Sequence, residues 1–343
     1  METILCLAHT ESDGTLSRVA LEAMAAAKWL AGAVAGSTLC VGLVGEKTEA
    51  AAGQAGSSGA ARFLSVSGPE FGQSRYASDA AAAEALCRAA DATVVIVPST
   101  SRWARCLAGV AQRLNGVIDS HVTGLSADGD KPAVSRWYYR QRMEAVLERT
   151  RRPWMILLES GVFPALEATA SPVSVEPVAV ELPDSAKRTQ FAGIRAPQTD
   201  EQTIRPDANL LFVAGAGWTK KQADGQVHAS EAASSILDFL HKTQASLGSS
   251  KSLVDLSGEG QAVLPFLTHL NQIGQTGSTP RHPKGLATCC HGEEPHVVGW
   301  RFVNERRAVN LDPNCGWARG KADVLYVADA FKVVAKVNEL LGK

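Results

Sequence analysis

Two short glycine-containing segments in the second half of the chain have the residue types of a cofactor-binding loop. Ala214-Gly215-Ala216-Gly217 follows an apolar run, and its backbone amides can approach a phosphate closely where a helix begins. The segment lacks the complete glycine fingerprint of dinucleotide-binding folds, so an ordinary turn stays open as the alternative. Gln272-Ile273-Gly274-Gln275-Thr276-Gly277 places a carboxamide and a hydroxyl between two glycines. This second loop can present hydrogen-bonding groups to a ligand, although its composition also fits a polar turn.

Cysteine and histidine cluster at another place in the sequence. Cys289-Cys290-His291 is followed by His296 and later by Cys315, and thiolate and imidazole are ligands for zinc or an iron–sulfur centre. Cys289 ends a predicted buried strand, adjacent strand residues point to opposite faces, and the Cys-x-x-Cys spacing is missing. The pattern therefore favours core packing, and we expect no metal ligand among these residues.

Short apolar runs alternate with alanine-rich helical patterns through the first half of the chain. The runs are continuous rather than alternating, which indicates strands of a parallel sheet covered on both faces by helices. Strands are predicted at residues 3–8, 38–44, 62–66, 93–97, 120–125, 133–139 and 154–159, the later ones including an antiparallel edge. Helices are predicted at residues 16–30, with Ser17 as the cap, 80–90 and 105–114.

The second half repeats this organisation after a segment rich in proline and polar residues. Strands are predicted at residues 210–213, 285–289, 297–300, 308–311 and 323–327, and helices at 230–247 and 330–341. The predicted fold class is therefore α/β with two doubly wound domains. We place an N-terminal domain at residues 1–182, a linker at 183–206 and a C-terminal domain at 207–343. Ligands of such sheets bind where loops leave the carboxyl ends of the strands.

Four segments, in order, give the chain a family resemblance. They are Ile273-Gly274-Gln275-Thr276-Gly277, His291-Gly292-Glu293-Glu294-Pro295-His296, Val309-Asn310-Leu311-Asp312-Pro313 and Ala328-Asp329-Ala330-Phe331-Lys332-Val333-Val334. These segments resemble the electron transfer flavoprotein alpha subunits, which have Val-Gly-Gln-Thr-Gly, Ser-Gly-Ala-Ile-Gln-His, Ile-Asn-Lys-Asp-Pro and Ala-Asp-Leu-Phe-Lys-Val-Val. Pro98-Ser99-Thr100-Ser101 resembles the family's Pro-Ala-Thr-Ser turn in the first half. The resemblance covers nearly the whole chain and implies a C-terminal parallel-sheet domain that binds FAD.

The resemblance also implies roles for individual residues. Thr276 corresponds to the hydroxyl that bonds the flavin ring near N5. His296 corresponds to the histidine near the C2 carbonyl, where a donor or a positive charge stabilises negative charge on the ring. Asn310 and Asp329 correspond to contacts at the adenosine end of FAD. The full implied cofactor-binding set is Gly217, Ser250, Lys251, Ile273, Gly274, Gln275, Thr276, His291, Gly292, Glu293, Glu294, Pro295, His296, Asn310, Asp329 and Ala330.

The chain departs from the family pattern at several of these positions. Lys251 stands where the family has an arginine against the isoalloxazine ring, and it keeps the charge but loses the planar fork. His291 replaces a serine near the pyrophosphate, Pro295 replaces a glutamine beside the flavin, and Ala216 replaces a loop arginine. These changes predict an altered redox potential or cofactor affinity. We expect FAD to be retained because the four residues assigned above to the flavin and adenosine ends are kept.

Composition restricts the partners of the chain. Its formal net charge of −1 gives no general attraction to nucleic acid or to an anionic membrane. The basic and aromatic run at residues 136–142 could stack on nucleic acid, but the family has an interdomain strand there, so we expect no nucleic-acid partner. We expect no membrane insertion because no uninterrupted apolar run has the length of a spanning helix. The N-terminus lacks the pattern of a leader, which predicts a cytoplasmic, bacterial protein.

The function that the resemblance implies is that of an electron carrier rather than an enzyme, since no proton-abstracting dyad or nucleophile–base pair is evident. FAD would take electrons from a donor flavin dehydrogenase and deliver them to a quinone oxidoreductase or another respiratory acceptor. The chain would form a heterodimer with an electron transfer flavoprotein beta subunit. Its divergence favours a specialised donor, such as a dehydrogenase of dimethylglycine or sarcosine. Two alternatives stay open: a structural subunit that has lost FAD, and a metal-containing redox subunit that uses Cys289, Cys290 and Cys315.

Overall fold

The chain folds into two compact units, Met1–Ile194 and Arg195–Lys343. The computed structural model describes residues 1–138, 143–169, 171–193, 205, 208–255, 262–268, 271–273, 282–289, 303–314 and 322–342. Both units are α/β, which confirms the predicted fold class. The domain boundaries at residues 182 and 206 stay a prediction.

The first unit contains a mixed sheet with helices on both faces. Its strands are β1 (Thr3–His9), β2 (Thr38–Gly45), β3 (Arg62–Ser67), β4 (Val94–Pro98), β5 (Val117–Asp128), β6 (Lys131–Tyr138), β7 (Met143–Glu148), β8 (Trp154–Leu158) and β9 (Val175–Pro177). Its helices are α1 (Arg18–Ala33), α2 (Glu49–Ala55), α3 (Pro69–Gly72), α4 (Tyr76–Ala89) and α5 (Ser101–Arg113). Within the described residues the strand order is β7-β6-β5-β8-β4-β1-β2-β3-β9.

The pairing of these strands follows from their sequence patterns. β1, β2, β4 and β8 are largely apolar runs, and together with β3 they pair in parallel under helices on both faces. β6 pairs in antiparallel register with β5 and with β7, which confirms the predicted antiparallel edge, although β7 itself was not predicted. The predicted cap of α1 is also confirmed, because the Ser17 side chain accepts a hydrogen bond from the Ala20 amide at 3.4 Å.

The second unit contains an all-parallel sheet. Its elements are β10 (Leu210–Ala214), α6 (Ala229–Thr243), β11 (Ser246–Ser249), α7 (Lys251–Asp255), β12 (His282–Thr288), β13 (Val303–Asn310), β14 (Val324–Val327) and α8 (Ala330–Leu341). The described strands have the order β11-β10-β12-β13-β14. α6 and α8 pack together on one face of this sheet, around a core that includes Phe212 and Leu247.

One predicted element of the second unit is wrong. The helix expected at residues 230–247 ends at Thr243, because Gln244 adopts a left-handed conformation with φ of 54°. The chain then reverses into β11, which had been predicted as the last turn of the helix. The strand predicted at residues 297–300 lies outside the described residues. Among the helices that are described, none combines the length and apolar composition that crossing a lipid bilayer requires.

Candidate functional site

The carboxyl ends of the five described strands of the second unit are joined by backbone hydrogen bonds that continue past the sheet. The Ile273 amide donates to Ser249 at 3.1 Å, and the Ser250 amide donates to Ala214 at 2.9 Å. Three further bonds run from backbone amide to backbone carbonyl: Gly215 to Thr288 at 2.8 Å, Cys289 to Val309 at 3.2 Å and Ala328 to Asn310 at 3.1 Å. The edge at which doubly wound folds bind ligands is therefore one connected surface here.

Gly217 brings the loops after β10 and β12 into close contact. Its amide donates to the Cys289 carbonyl at 2.7 Å. A Cβ atom at Gly217 would lie 2.5 Å from the same oxygen, so only glycine fits without a shift of the backbone. Cys289 itself has a φ of 54°, in the left-handed region. Burial raises the pKa of the Cys289 thiol to about 12, and the charge of Asp329 adds to this rise.

A buried tryptophan supports the edge from within the core. Trp218 is fully buried, and its Nε1 donates to Thr288 Oγ1 at 2.9 Å. The Thr288 hydroxyl donates in turn to the Val213 carbonyl at 3.0 Å. The Trp218 ring also packs against Phe331 of α8, with ring centroids 4.5 Å apart. This network fixes the loop after β10 to both β12 and α8.

The described residues of the predicted cofactor set lie along this same edge. Ser250 is buried, and its hydroxyl accepts a hydrogen bond from the Leu253 amide at 3.3 Å, while Lys251 is exposed at the start of α7. Asn310 ends β13 and donates through Nδ2 to the Asp312 carbonyl at 3.3 Å. Asp329 caps α8 by accepting from the Phe331 amide at 3.0 Å. Ala330 begins α8 and is buried in the core.

The structure brings part of the predicted set together. Gly217, Ser250, Asn310 and Asp329 follow or end strands on the carboxyl side, and Ile273 lies beside the end of β11 through its hydrogen bond to Ser249. Lys251 and Ala330 are the next residues after Ser250 and Asp329. The remaining members lie outside the described residues, and their assignment stays a prediction: Gly274, Gln275, Thr276, His291, Gly292, Glu293, Glu294, Pro295 and His296.

Sequence reasoning did not assign Gln272 and Ser249 to the site. Both residues are buried, with exposed fractions of 6% and 0%. Neither the Gln272 carboxamide nor the Ser249 hydroxyl has a hydrogen-bond partner in the structure described. The available signal was the position of Gln272, which is the first residue of the glycine-containing segment quoted above.

The structure gives no support to a metal site in the part of the chain that it describes. No group of three or more histidine, cysteine or acidic side chains in those residues could hold a metal ion. Cys290, His291, His296 and Cys315, which motivated the metal alternative, lie outside them. Cys289 is a free thiol.

A second group of buried polar side chains lies in the first unit, at the carboxyl end of β1. Asp79 is fully buried and accepts hydrogen bonds from Arg102 at 2.7 and 3.1 Å and from Arg105 at 3.3 Å. His9 Nε2 lies 3.4 Å from Asp79 without hydrogen-bond alignment, and its ring stacks on Trp103 with centroids 3.7 Å apart. Burial lowers the pKa of His9 to about 4, so this imidazole is neutral at physiological pH.

The comparison with known families bears on the first unit. A family model described as the electron transfer flavoprotein domain matches residues 4–183, just over half of the chain. The matched segment covers β2 through β9 and all of β1 except its first residue. The predicted cofactor residues lie C-terminal to the match.

Proposed function

Because the chain belongs to the electron transfer flavoprotein family, we propose that it is the alpha subunit and that it binds FAD at the carboxyl edge of its second sheet. The observation that carries the proposal is the position of Asn310 and Asp329. Both residues match the alpha-subunit pattern in sequence, and they stand on adjacent strand ends joined by the hydrogen bond from Ala328 to Asn310. In this proposal the chain is an electron carrier and catalyses no substrate reaction.

The residues of this edge fit such a cofactor in three respects. The five described strand ends form one connected edge, about 19 Å wide at the usual strand spacing, along which an extended dinucleotide could lie. The absence of a side chain at Gly217 lets the loops after β10 and β12 lie close together where an extended cofactor would cross them. Gln272 and Ser249 supply buried polar atoms without protein partners in the region described. A buried polar group of this kind favours binding of a ligand that satisfies it.

When bound, FAD supplies a ring that accepts electrons from one protein and releases them to another. The chain's own residues have the tasks of binding and orientation. We assign Asn310 and Asp329 to the adenosine end, and Ser250 and Lys251 to the ring end. Trp218 and Phe331 close the core beneath the edge and exclude water from its inner side. No residue needs to move a proton to a substrate.

The partners in this proposal are those of a carrier. The chain forms a heterodimer with an electron transfer flavoprotein beta subunit, takes electrons from a flavin dehydrogenase and delivers them to a quinone oxidoreductase or a similar acceptor. A dehydrogenase of dimethylglycine or sarcosine is our proposed donor. Failure of the purified complex to be reduced by such a dehydrogenase and its amine substrate would remove this donor and leave the carrier proposal standing.

The decisive experiment is the cofactor content of the chain co-expressed with its beta subunit. We expect a flavin absorbance band, and we expect Asn310→Ala to weaken FAD binding at least roughly tenfold through lost hydrogen bonds. Asp329 also caps α8, so Asp329→Ser is the informative variant because serine keeps a cap acceptor and removes the carboxylate. Ser17→Ala, which removes a cap from α1, is the matched control and should bind FAD normally.

A correctly assembled complex that is colourless and takes up no added FAD would contradict the proposal. That result would favour the structural subunit that has lost its cofactor. Iron or zinc in the same preparation by elemental analysis would favour the metal-containing alternative instead.

A further inference from the structure

Gln272 and Ser249 lie side by side at the end of β11. Residues 271–273 run beside this strand, and Ser249 and Gln272 pair in an isolated parallel bridge. The approach is close because a Cβ atom at Gly248 would lie 2.5 Å from Ile273 Cγ2. Ile273 packs on one face of the sheet with Leu211, while Leu247 belongs to the core on the opposite face. Since strand side chains alternate, Ser249 and Gln272 share the face of Leu247.

Burying the polar atoms of this pair without hydrogen-bond partners is destabilising. Gln272 Nε2 and Oε1 and Ser249 Oγ are all inaccessible to solvent and have no hydrogen-bond partner in the described structure. A core position with no ligand would be more stable with an apolar residue, because an unsatisfied buried donor or acceptor is destabilising. Three such atoms on neighbouring residues at a ligand-binding edge therefore indicate a missing partner.

The chemistry of the pair restricts this partner. A carboxamide presents one donor and one acceptor side by side, so it matches a cyclic group with adjacent C=O and N–H. An anion would use only the donors of the pair, Gln272 Nε2 and the Ser249 hydroxyl, and would leave Gln272 Oε1 without a partner. The pyrimidine-dione edge of a flavin has the required C=O and N3–H, with a second carbonyl available to a hydroxyl.

We propose that Gln272 and Ser249 bind the pyrimidine-dione edge of the flavin ring. Nε2 of Gln272 donates to a ring carbonyl, Oε1 accepts from N3–H, and the Ser249 hydroxyl donates to the second carbonyl. This inference rests on the proposed function, which places FAD at this edge. β11 is three strands from β13, or about 14 Å at the usual strand spacing, which separates this pair from the adenosine end assigned to Asn310.

The test compares FAD with N3-methyl-FAD, in which the N3–H donor is replaced. Wild-type heterodimer, stripped of flavin, should bind FAD roughly tenfold more tightly than N3-methyl-FAD in a fluorescence titration. Gln272→Met should bind FAD roughly tenfold more weakly than wild type and should no longer distinguish the two ligands. Ser249→Ala should weaken both ligands equally. Gln112→Met, at an exposed glutamine of α5, is the matched control and should behave as wild type.

Thermal unfolding of the stripped protein separates a ligand-binding role from a structural one. If the carboxamide is unsatisfied without flavin, Gln272→Met keeps or raises the melting temperature while it weakens FAD. If Gln272→Met does not fold, Gln272→Glu takes its place, because it keeps the shape but loses the donor and should still bind FAD more weakly. Unchanged FAD affinity in these variants, or retained discrimination in Gln272→Met, overturns this inference alone. A wild-type complex that takes up no FAD overturns the proposed function as well.

Discussion

Replacing Gly217 with alanine tests whether the loops after β10 and β12 act as one surface. The new Cβ would lie 2.5 Å from the Cys289 carbonyl oxygen, whereas ordinary contacts begin at 3.4 Å, so the two backbones must separate by about 0.9 Å. The separation would also break the 2.7 Å hydrogen bond from the Gly217 amide to that oxygen. The added methyl group therefore disturbs the centre of the proposed cofactor edge.

The cost follows from the two effects. Loss of the hydrogen bond costs about 1 kcal/mol and overpacking costs about 1–3 kcal/mol. Together they should lower the free energy of unfolding by about 2–4 kcal/mol. At about 3 °C per kcal/mol for a unit of this size, the melting temperature should fall by about 6–12 °C. FAD binding should weaken in parallel because the loop can no longer hold its position.

Scanning calorimetry measures this fall, and hydrogen exchange of residues 208–255 assigns the transition to the second unit. Gly32→Ala is the control: Gly32 lies in α1, and a Cβ atom there meets nothing within 4 Å. That substitution should be neutral or stabilise by about 0.5–1 kcal/mol through helix propensity. A Gly217→Ala protein that melts within about 1 °C of wild type would refute the reasoning.

Three further predictions concern the remainder of the chain. Ser17→Ala should lower the free energy of unfolding in urea by about 1 kcal/mol, whereas Ser17→Asp should keep the cap of α1; equal losses in both would contradict the capping role. Burial alone raises the pKa of Asp119, but hydrogen bonds from Arg149, Trp154 and Arg136 outweigh this effect, so the pKa is lowered overall. The ionised Asp119 therefore stabilises the fold at neutral pH, and this contribution is lost as the pH falls below about 4. Asp119→Asn should therefore flatten the acid limb of a stability–pH curve, and an unchanged limb would disprove the assignment. Four thiols have a pKa near 12: Cys6, Cys87, Cys106 and Cys289. Iodoacetamide at pH 8 should leave them unmodified in the native protein, because only about one thiol in ten thousand is then thiolate. Labelling of any of them in peptide maps before denaturation would contradict this prediction.

Most of the fold was predictable because its elements have strong local patterns. The limits of α8 were predicted at residues 330–341 from apolar residues at helical spacing, and the cap by Asp329 became evident only in the structure. β11 was missed because Ser246-Leu247-Gly248-Ser249 has too few apolar residues to show a strand pattern. Only Gln244, which is left-handed, and Ala245 separate it from α6. β9 was missed for a similar reason, because a three-residue strand obtains its stability from β3 rather than from its own sequence.

The candidate site was predictable to a smaller extent. Glycine-rich segments and strand ends located the edge, since the carboxyl ends of parallel strands meet there. The hydrogen bonds between Gly217 and Cys289, and the bridge between Ser249 and Gln272, join residues far apart in sequence. Periodicity carries no information about such pairs. The burial of Asp79 among two arginines is equally non-local, and only the folded chain shows it.

The two ends of the large sheet differ in their capacity to recruit another strand. At one end β9 is short and finishes at Pro177, which has no amide proton to offer, so further growth of the sheet is blocked there. At the other end the edge strand β7 exposes the apolar side chains of Met143 and Val146, and the charged residues Glu144 and Glu148 lie on the same strand. Because like charges on an edge strand disfavour pairing with a second copy, we expect Glu144 and Glu148 to oppose self-association. Neutralising them should make concentrated protein prone to aggregate through β7 while leaving the β9 end unaffected.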